Sequence, residues 1–98
     1  MASVMQMHWK GVTKDQYETV RKHVKWETDT PKGAQFHVCS FADDGMHVLD
    51  IWDSPEDFQK FMDTRLGAGI QAAGIQGQPD VKWAPLHATF TSPAYKAV

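Results

Sequence analysis

The chain has 98 residues, 42% of them apolar and four of them tryptophan, and its net charge is −2 with the five histidines neutral. This composition excludes a disordered chain, and the lack of a basic run or a long apolar run excludes nucleic-acid and membrane partners. The single cysteine, Cys39, excludes an internal disulfide, so we expect one cytoplasmic domain over residues 1–98 with a tail at 91–98.

The first predicted elements are a strand and an amphipathic helix. The strand covers Ser3–Trp9. Thr13 begins the helix as its N-cap, with Gln16 completing a capping box. The helix ends near Trp26, and its buried stripe repeats at helical spacing. The stripe consists of Tyr17, Val20 and Val24.

Two strands joined by a hairpin come next. They cover Ala34–Phe41 and Met46–Trp52. Asp44-Gly45 between two apolar runs favours a tight turn with positive φ, which pairs the two strands antiparallel.

A second helix and a last strand complete the predicted elements. Ser54 caps the helix, whose periodicity continues to Leu66. The Gly- and Ala-rich segment 67–79 predicts a break, then a short extra helical turn and a loop. The last strand covers Val81–Phe90 and is bent at Pro85.

The element order β-α-β-β-α-β predicts an α+β, ferredoxin-like fold. This fold has a four-stranded antiparallel sheet with two helices on one face. The first and third strands carry apolar residues on both faces, so two helices leave a large apolar surface bare. We therefore expect a homodimer in which two sheets pack face to face. A monomer with a mildly apolar open face is the alternative.

Histidines on the predicted strands are the candidate bases. A histidine titrates near neutral pH and can accept a proton from an acidic phenol or enol. His37 and His87 have apolar neighbours on both sides and are predicted to lie in a pocket, whereas His47 beside the hairpin is predicted to be exposed. One histidine falls on each predicted strand, and a metal site would require these four to converge with Asp50. No short ligand spacing supports such a site, so we expect no metal. The four histidines are His8, His37, His47 and His87.

Asp50 is a carboxylate inside the apolar strand "HVLDIW". A buried carboxylate needs a partner or a raised pKa. An ion pair with Arg65 or Arg21 is the structural alternative. Acting as a base, or orienting a histidine, is the functional one.

The pattern "FHVCSFADDGMHVLDIWDSPEDFQKFMDTRL", followed by "VKWAPLHATF", resembles the dimeric α+β-barrel superfamily over roughly residues 4–90. Within it, the chain is most similar to small proteins of the antibiotic-biosynthesis-monooxygenase type. The sharpest motif is Trp52-x-Ser54-x-Glu56-x-Phe58. Members include cofactor-free oxygenases, haem-degrading enzymes, peroxidases, cyclases and proteins of no known activity, so the fold does not select an activity.

The resemblance implies that Trp52 lines a pocket between helices and sheet, where a flat substrate stacks. Packing on Phe58 and Phe61 at the strand-to-helix corner is the structural alternative. Haem-degrading relatives carry an axial histidine on the following helix, and "SPEDFQKFMDTRL" has none, so no haem cofactor is implied. The further candidate substrate-binding residues are Phe36, Phe58, Phe61 and Trp83.

The resulting functional hypothesis is a cofactor-independent monooxygenase for an aromatic or polyketide-like small molecule. Trp52 would stack on the substrate, His37 or His87 would take its proton, and Asp50 would orient the base. A non-catalytic dimeric module that binds a hydrophobic molecule or serves a structural role is one alternative. A cyclase or isomerase using the same pocket is another.

Overall fold

The chain forms one four-stranded antiparallel sheet with helices packed on one face. A computed structural model describes all residues, 1–98. The strand order is β2-β3-β1-β4, the α+β, ferredoxin-like arrangement predicted from the sequence. In chain order the elements are β1 (Ser3–Trp9), α1 (Lys14–Val24), β2 (Ala34–Ala42), β3 (Gly45–Trp52), α2 (Pro55–Phe61), a π-helical turn (Met62–Leu66), α3 (Gly67–Ala72) and β4 (Asp80–Pro85).

Helix α1 begins as the sequence predicts. The Thr13 hydroxyl accepts a hydrogen bond from the Gln16 backbone N–H, and the Gln16 side chain accepts one from the Thr13 N–H. The helix ends at Val24, two residues before the predicted Trp26, because Lys25 adopts the left-handed conformation with φ 59°.

The hairpin between β2 and β3 has a two-residue loop, Asp43-Asp44, between the paired residues Ala42 and Gly45. The predicted positive φ falls on Gly45, at 115°. A Cβ there would lie 2.5 Å from the Trp9 carbonyl oxygen, so this position requires glycine.

The helix after β3 does not break where the sequence predicts. Ser54 caps α2, but the backbone stays helical through the π-helical turn and α3 to Ala72. The predicted break at segment 67–79 is therefore wrong in its position. Gly69 is buried and lies against Val20 and Val24 of α1, so close helix packing holds this glycine in a helix.

Strand β4 is shorter than predicted. It ends at Pro85, whereas the sequence predicted Val81–Phe90 with a bend at that proline. Leu86 still donates its N–H to the Ala2 carbonyl, but residues 86–98 form no helix or strand. Proline has no N–H for the sheet ladder, which fits its place at the strand end.

The core lies between the helices and one face of the sheet. Met5 on the central strand β1 is fully buried, and helices α1 and α2 contribute apolar side chains above it. No helix is long and apolar enough to cross a membrane. The buried core residues are Met5, Met7, Trp9, Val12, Val20, Val24, Met46, Val48, Trp52, Phe58 and Phe61.

The opposite sheet face, here the open face, carries no helix. Strand register arranges its positions in three rows across the sheet. The row nearest the hairpin, here called the polar row, contains both histidines of this face. The row farthest from the hairpin is here called the apolar row, and the row between the two is called the central row. From β4 to β2 the rows are Ala84, Val4, Ile51 and Phe36; Lys82, Gln6, Leu49 and Val38; and Asp80, His8, His47 and Ser40.

Candidate active site

A cavity of about 250 Å³ lies between the helices and the sheet. Of its 23 lining residues, 17 are hydrophobic, which gives the largely apolar wall typical of small-molecule sites. Polar side chains are few, so each one that faces the cavity can orient a bound molecule. The polar lining side chains are Tyr17, Glu27, Thr30, Gln35, His37 and Asp50.

Four side chains in this wall form a continuous hydrogen-bonded chain. The Tyr17 hydroxyl lies 2.7 Å from His37 Nε2. His37 Nδ1 lies 2.7 Å from Asp50 Oδ1. The Trp52 indole N–H donates to Asp50 Oδ2 at 2.9 Å. Helix α1 and strands β2 and β3 thus meet in one polar network.

Strand pairing places His37 beside Asp50. The two residues are directly opposite each other in the β2–β3 ladder. Asp50 is only 6% exposed, yet both its oxygens have hydrogen-bond partners, which satisfies a buried carboxylate. Because the carboxylate can only accept, Nδ1 of His37 must donate to it. The other nitrogen, Nε2, is then the basic atom that faces Tyr17.

Neither of the two arginines predicted as ion-pair partners of Asp50 forms a hydrogen bond with it. Arg21 forms a two-point ion pair with Glu27, at 2.5 and 3.0 Å. Arg65 donates to the backbone oxygens of Val24 and Asp29. Asp50 is therefore hydrogen-bonded to a histidine and not to either arginine, so the predicted ion pair does not form; a role for Asp50 in orienting a catalytic base stays a prediction.

Tyr17 keeps its proton at this site. Burial, and next the neighbouring Cys39, raise the pKa of the Tyr17 hydroxyl well above its ordinary value. A protonated hydroxyl can donate to His37 Nε2 over the whole physiological range. Burial also raises the pKa of the Cys39 thiol, to about 11, so Cys39 is not a thiolate nucleophile here.

Trp52 has the corner packing considered for it and also borders the cavity, whereas stacking on a substrate stays a prediction. It is 3% exposed, and its ring packs against Phe58 and Phe61 at centroid distances of 5.4 and 5.6 Å. The same side chain also lines the cavity. The corner packing and the hydrogen bond to Asp50 together fix the orientation of the indole.

The structure brings most, but not all, of the predicted site residues together. His37, Asp50 and Trp52 line the cavity with Phe58 and Phe61. Phe36 also borders it, although its pairing with Ile51 places it in the apolar row of the open face. Strand β2 has a register shift between Ala34 and Phe36 at this point.

Two predicted site residues lie outside the cavity wall. Trp83 packs edge-on against Phe58 and lines a neighbouring groove. His87 is exposed, because β4 ends at Pro85 and does not carry His87 into the sheet.

Tyr17 is the polar residue of the candidate site that the sequence did not predict. Its helical spacing with Val20 and Val24 assigned it to the core stripe only. A buried tyrosine needs a partner for its hydroxyl, and this requirement was the available signal. The hairpin was a second signal, since a loop at Asp43-Asp44 places His37 opposite Asp50.

Comparisons with known proteins support the fold. No protein-family model matches the chain, and no curated protein matches it. Among solved structures it is similar to a single-site mutant of SnoaB, a cofactor-independent oxygenase from Streptomyces nogalater, with a TM-score of 0.61 and 10% identity over 93% of this chain and 97% of that chain.

Two further solved structures have the same fold. One is a monooxygenase from the gene ActVA-Orf6 of Streptomyces coelicolor, in complex with nanaomycin D, with a TM-score of 0.53 and 16% identity over 93% of this chain and 92% of that chain. The other is a dimeric ferredoxin-like protein of unknown function from Thermobifida fusca, with a TM-score of 0.58 and 14% identity over 88% and 92%. The predicted resemblance is thus confirmed at the level of the fold.

Proposed function

We propose that this protein is a cofactor-independent monooxygenase that acts on a small aromatic phenol or enol. The observation that carries the proposal is the Asp50–His37–Tyr17 chain, which places a histidine nitrogen in the wall of a largely apolar cavity. Two of the fold neighbours described above are oxygenases, and this adds support from outside the chain.

The proposed reaction begins with proton transfer. A phenolic hydroxyl takes the place of the Tyr17 hydroxyl at His37 Nε2, and the imidazole accepts its proton. Asp50 stabilises the resulting imidazolium through Nδ1. The displaced Tyr17 hydroxyl then donates a hydrogen bond to the phenolate oxygen, which stabilises its charge in a site with few other donors.

The deprotonated substrate itself reduces molecular oxygen. Overall, a phenol with a free ring C–H reacts with O₂ to give a quinone and water. One oxygen atom becomes the new carbonyl, while the other leaves as water with two substrate hydrogens. The substrate supplies all four electrons, so the protein needs to provide only a base, a dry site and orientation.

Cavity size and shape indicate the substrate class. The volume of about 250 Å³ lies just below the usual range for ligand pockets, roughly 300–1,000 Å³. Trp52 offers a fixed aromatic surface beside the base. A planar molecule of one or two fused rings fits these features better than a longer polycyclic one.

Oxygen uptake with a panel of phenols and naphthols tests the proposal. We expect His37→Gln to lower kcat by about 10²-fold or more, the usual contribution of a general base. His87→Gln is the matched control, because it removes an exposed histidine outside the cavity, and it should leave kcat unchanged.

Two outcomes would overturn the monooxygenase proposal in different ways. Turnover that consumes no oxygen would indicate a cyclase or isomerase in the same cavity. Binding without any turnover would indicate a non-catalytic module. Equal rates for wild type and His37→Gln would contradict the role of His37.

We also propose that the protein is a homodimer formed through the open face. Val38 and Leu49 are exposed there and adjacent in the β2–β3 ladder. Among the fold neighbours, the Thermobifida fusca protein is described as dimeric. A cytoplasmic location is proposed from the free thiol of Cys39, which suits a reducing compartment.

A further inference from the structure

We propose that His8, His47 and Asp44 form a binding site for a divalent transition-metal ion on the open face. The site lies across the sheet from the cavity, and no step of the proposed oxygenase reaction uses it. It also goes beyond the sequence prediction, which expected no metal because no short ligand motif is present.

Strand register supplies the two histidines. His8 on β1 is directly opposite His47 on β3, both in the polar row. Residues directly opposite in an antiparallel pair have Cβ atoms roughly 4.5–5.5 Å apart, so both imidazoles can reach one ion. The two rings stack at a centroid distance of 4.5 Å and an interplanar angle of 11°.

Asp44 in the hairpin loop brings a carboxylate close to the Nε2 atoms of both rings. Its Oδ1 lies 2.7 Å from His47 Nε2, and its Oδ2 lies 3.4 Å from His8 Nε2. One ligand atom from each of the three side chains lies within 4.8 Å of the others. The hairpin and the β1–β3 ladder fix all three backbones independently of any ion.

The ligand types select the class of metal. Two imidazoles and one carboxylate suit Zn²⁺, Ni²⁺ or Cu²⁺, whereas Mg²⁺ and Ca²⁺ favour oxygen ligands. Asp80 is paired with His8 in the β1–β4 ladder and is a candidate for a fourth ligand, with water as the alternative.

Metal binding requires only side-chain rotation. Bond lengths near 2.0–2.2 Å bring ligand atoms to roughly 3–3.5 Å from one another, and parallel rings must tilt to aim both Nε2 atoms at one ion. In the single chain the side chains of His8, His47 and Asp44 are 32%, 41% and 58% exposed, which leaves room for that movement. His8 Nε2 would exchange its present contact with the Asp44 carbonyl, at 2.9 Å, for the ion.

Zinc titration of the metal-stripped full chain tests the site. Competition with a chromophoric chelator should show one Zn²⁺ per chain. His8→Gln, His47→Gln and Asp44→Asn should each weaken Zn²⁺ binding by about tenfold or more. Asp43→Asn is the matched control, because it removes the same charge from the adjacent loop residue, and it should bind Zn²⁺ as the wild type does.

Further controls separate this site from other donors. Variants His87→Gln and Cys39→Ser should retain wild-type Zn²⁺ affinity, and circular dichroism should show that every variant is folded. Cu²⁺ should broaden the imidazole proton signals of His8 and His47 before those of His23. Absence of Zn²⁺ binding at millimolar concentration, or equal binding by the His8→Gln/His47→Gln double variant, would overturn the proposal.

Discussion

Asp50 accepts hydrogen bonds from two residues that the proposed reaction needs in fixed positions. One oxygen holds the His37 ring and the other holds the Trp52 indole N–H. A single buried carboxylate therefore sets both the tautomer of the base and the orientation of the stacking surface. This makes Asp50 a positioning residue in the proposed mechanism.

Replacing Asp50 with asparagine tests this positioning role. An amide can accept at only one atom, so either His37 or Trp52 faces a donor instead of an acceptor. We expect the kcat of Asp50→Asn to fall by about 10²-fold or more and the unfolding free energy to fall by about 1–3 kcal/mol. Oxygen uptake and urea unfolding measure the two effects.

Asp53→Asn is the control for that experiment. Asp53 is an exposed carboxylate three residues further on, and its contact with Gln35 lies on the surface. Its substitution should change neither quantity appreciably. Wild-type turnover by Asp50→Asn would show that the carboxylate is structural only.

Cys39 offers a pH-dependent prediction. Burial raises its thiol pKa from 9.0 to about 11. Between these values the unfolded chain loses the thiol proton and the folded chain keeps it, so stability is full below pH 9 and is lost as pH rises toward 11. Tyr17, whose pKa is also raised, adds to this loss above its ordinary value of 10.0.

Urea unfolding between pH 7 and pH 11 measures this stability loss. Cys39→Ala should flatten the part of the profile that begins near pH 9. Iodoacetamide should alkylate folded Cys39 at pH 8 much more slowly than the urea-unfolded chain. Equal alkylation rates would contradict shielding of the half-buried thiol by the fold.

The continuous helical segment from α2 to α3 depends on one close contact with α1. A Cβ at Gly69 would lie 2.8 Å from Val24 Cγ2 and 3.3 Å from Val20 Cγ1. Because the valine side chain has one strongly preferred χ1 rotamer in a helix, neither methyl group can move away without a cost in free energy. The glycine is there for packing, although the sequence alone suggests a helix breaker.

Gly69→Ala should therefore destabilise the protein. Alanine favours a helix over glycine by about 1 kcal/mol, but overpacking costs about 1–3 kcal/mol, and we expect a net loss of unfolding free energy. Thermal and urea unfolding measure it. Gln71→Ala, on the exposed side of α3, is the control and should be neutral, whereas a gain in stability for Gly69→Ala would contradict the close packing.

Elements controlled by local chemistry could be predicted from the sequence, whereas those controlled by distant contacts could not. Thr13 and Ser54 cap their helices through residues three positions away, so both helix starts were correct. Gly69 stays helical because of α1, and strand β4 ends at Pro85, so both segments were predicted wrongly. Part of the candidate site could be predicted, because pairing in the hairpin places His37 opposite Asp50. The contact of Tyr17 with His37 could not, because it depends on how helix α1 packs on the sheet.

At the scale of the whole molecule, one sheet face is covered by helices and the other is not. The central row of the open face, between its polar and apolar rows, contains Leu49 and Val38, which are 36% and 41% exposed. Covering them with a second copy would remove this surface from water at roughly 25 cal/mol per Å². We propose the dimer because one face of the sheet is covered by helices and the other face is not.

Leu49→Lys should dissociate the proposed dimer. A lysine at this exposed position would bring one positive charge from each copy into the proposed symmetric interface. Sedimentation velocity at micromolar concentration should show a dimer for wild type and a monomer for Leu49→Lys. Gln71→Lys adds the same charge on exposed α3 and should remain dimeric, and a monomeric wild type would contradict the proposal.

Three of the four tryptophans, Trp9, Trp26 and Trp52, line the cavity. The intrinsic fluorescence of these tryptophans can therefore report binding in the cavity. A flat guest between these indoles should quench their ultraviolet emission and shift it in wavelength, so occupancy can be followed without a label. Libraries of uncoloured compounds could be screened in this way before any product has been identified.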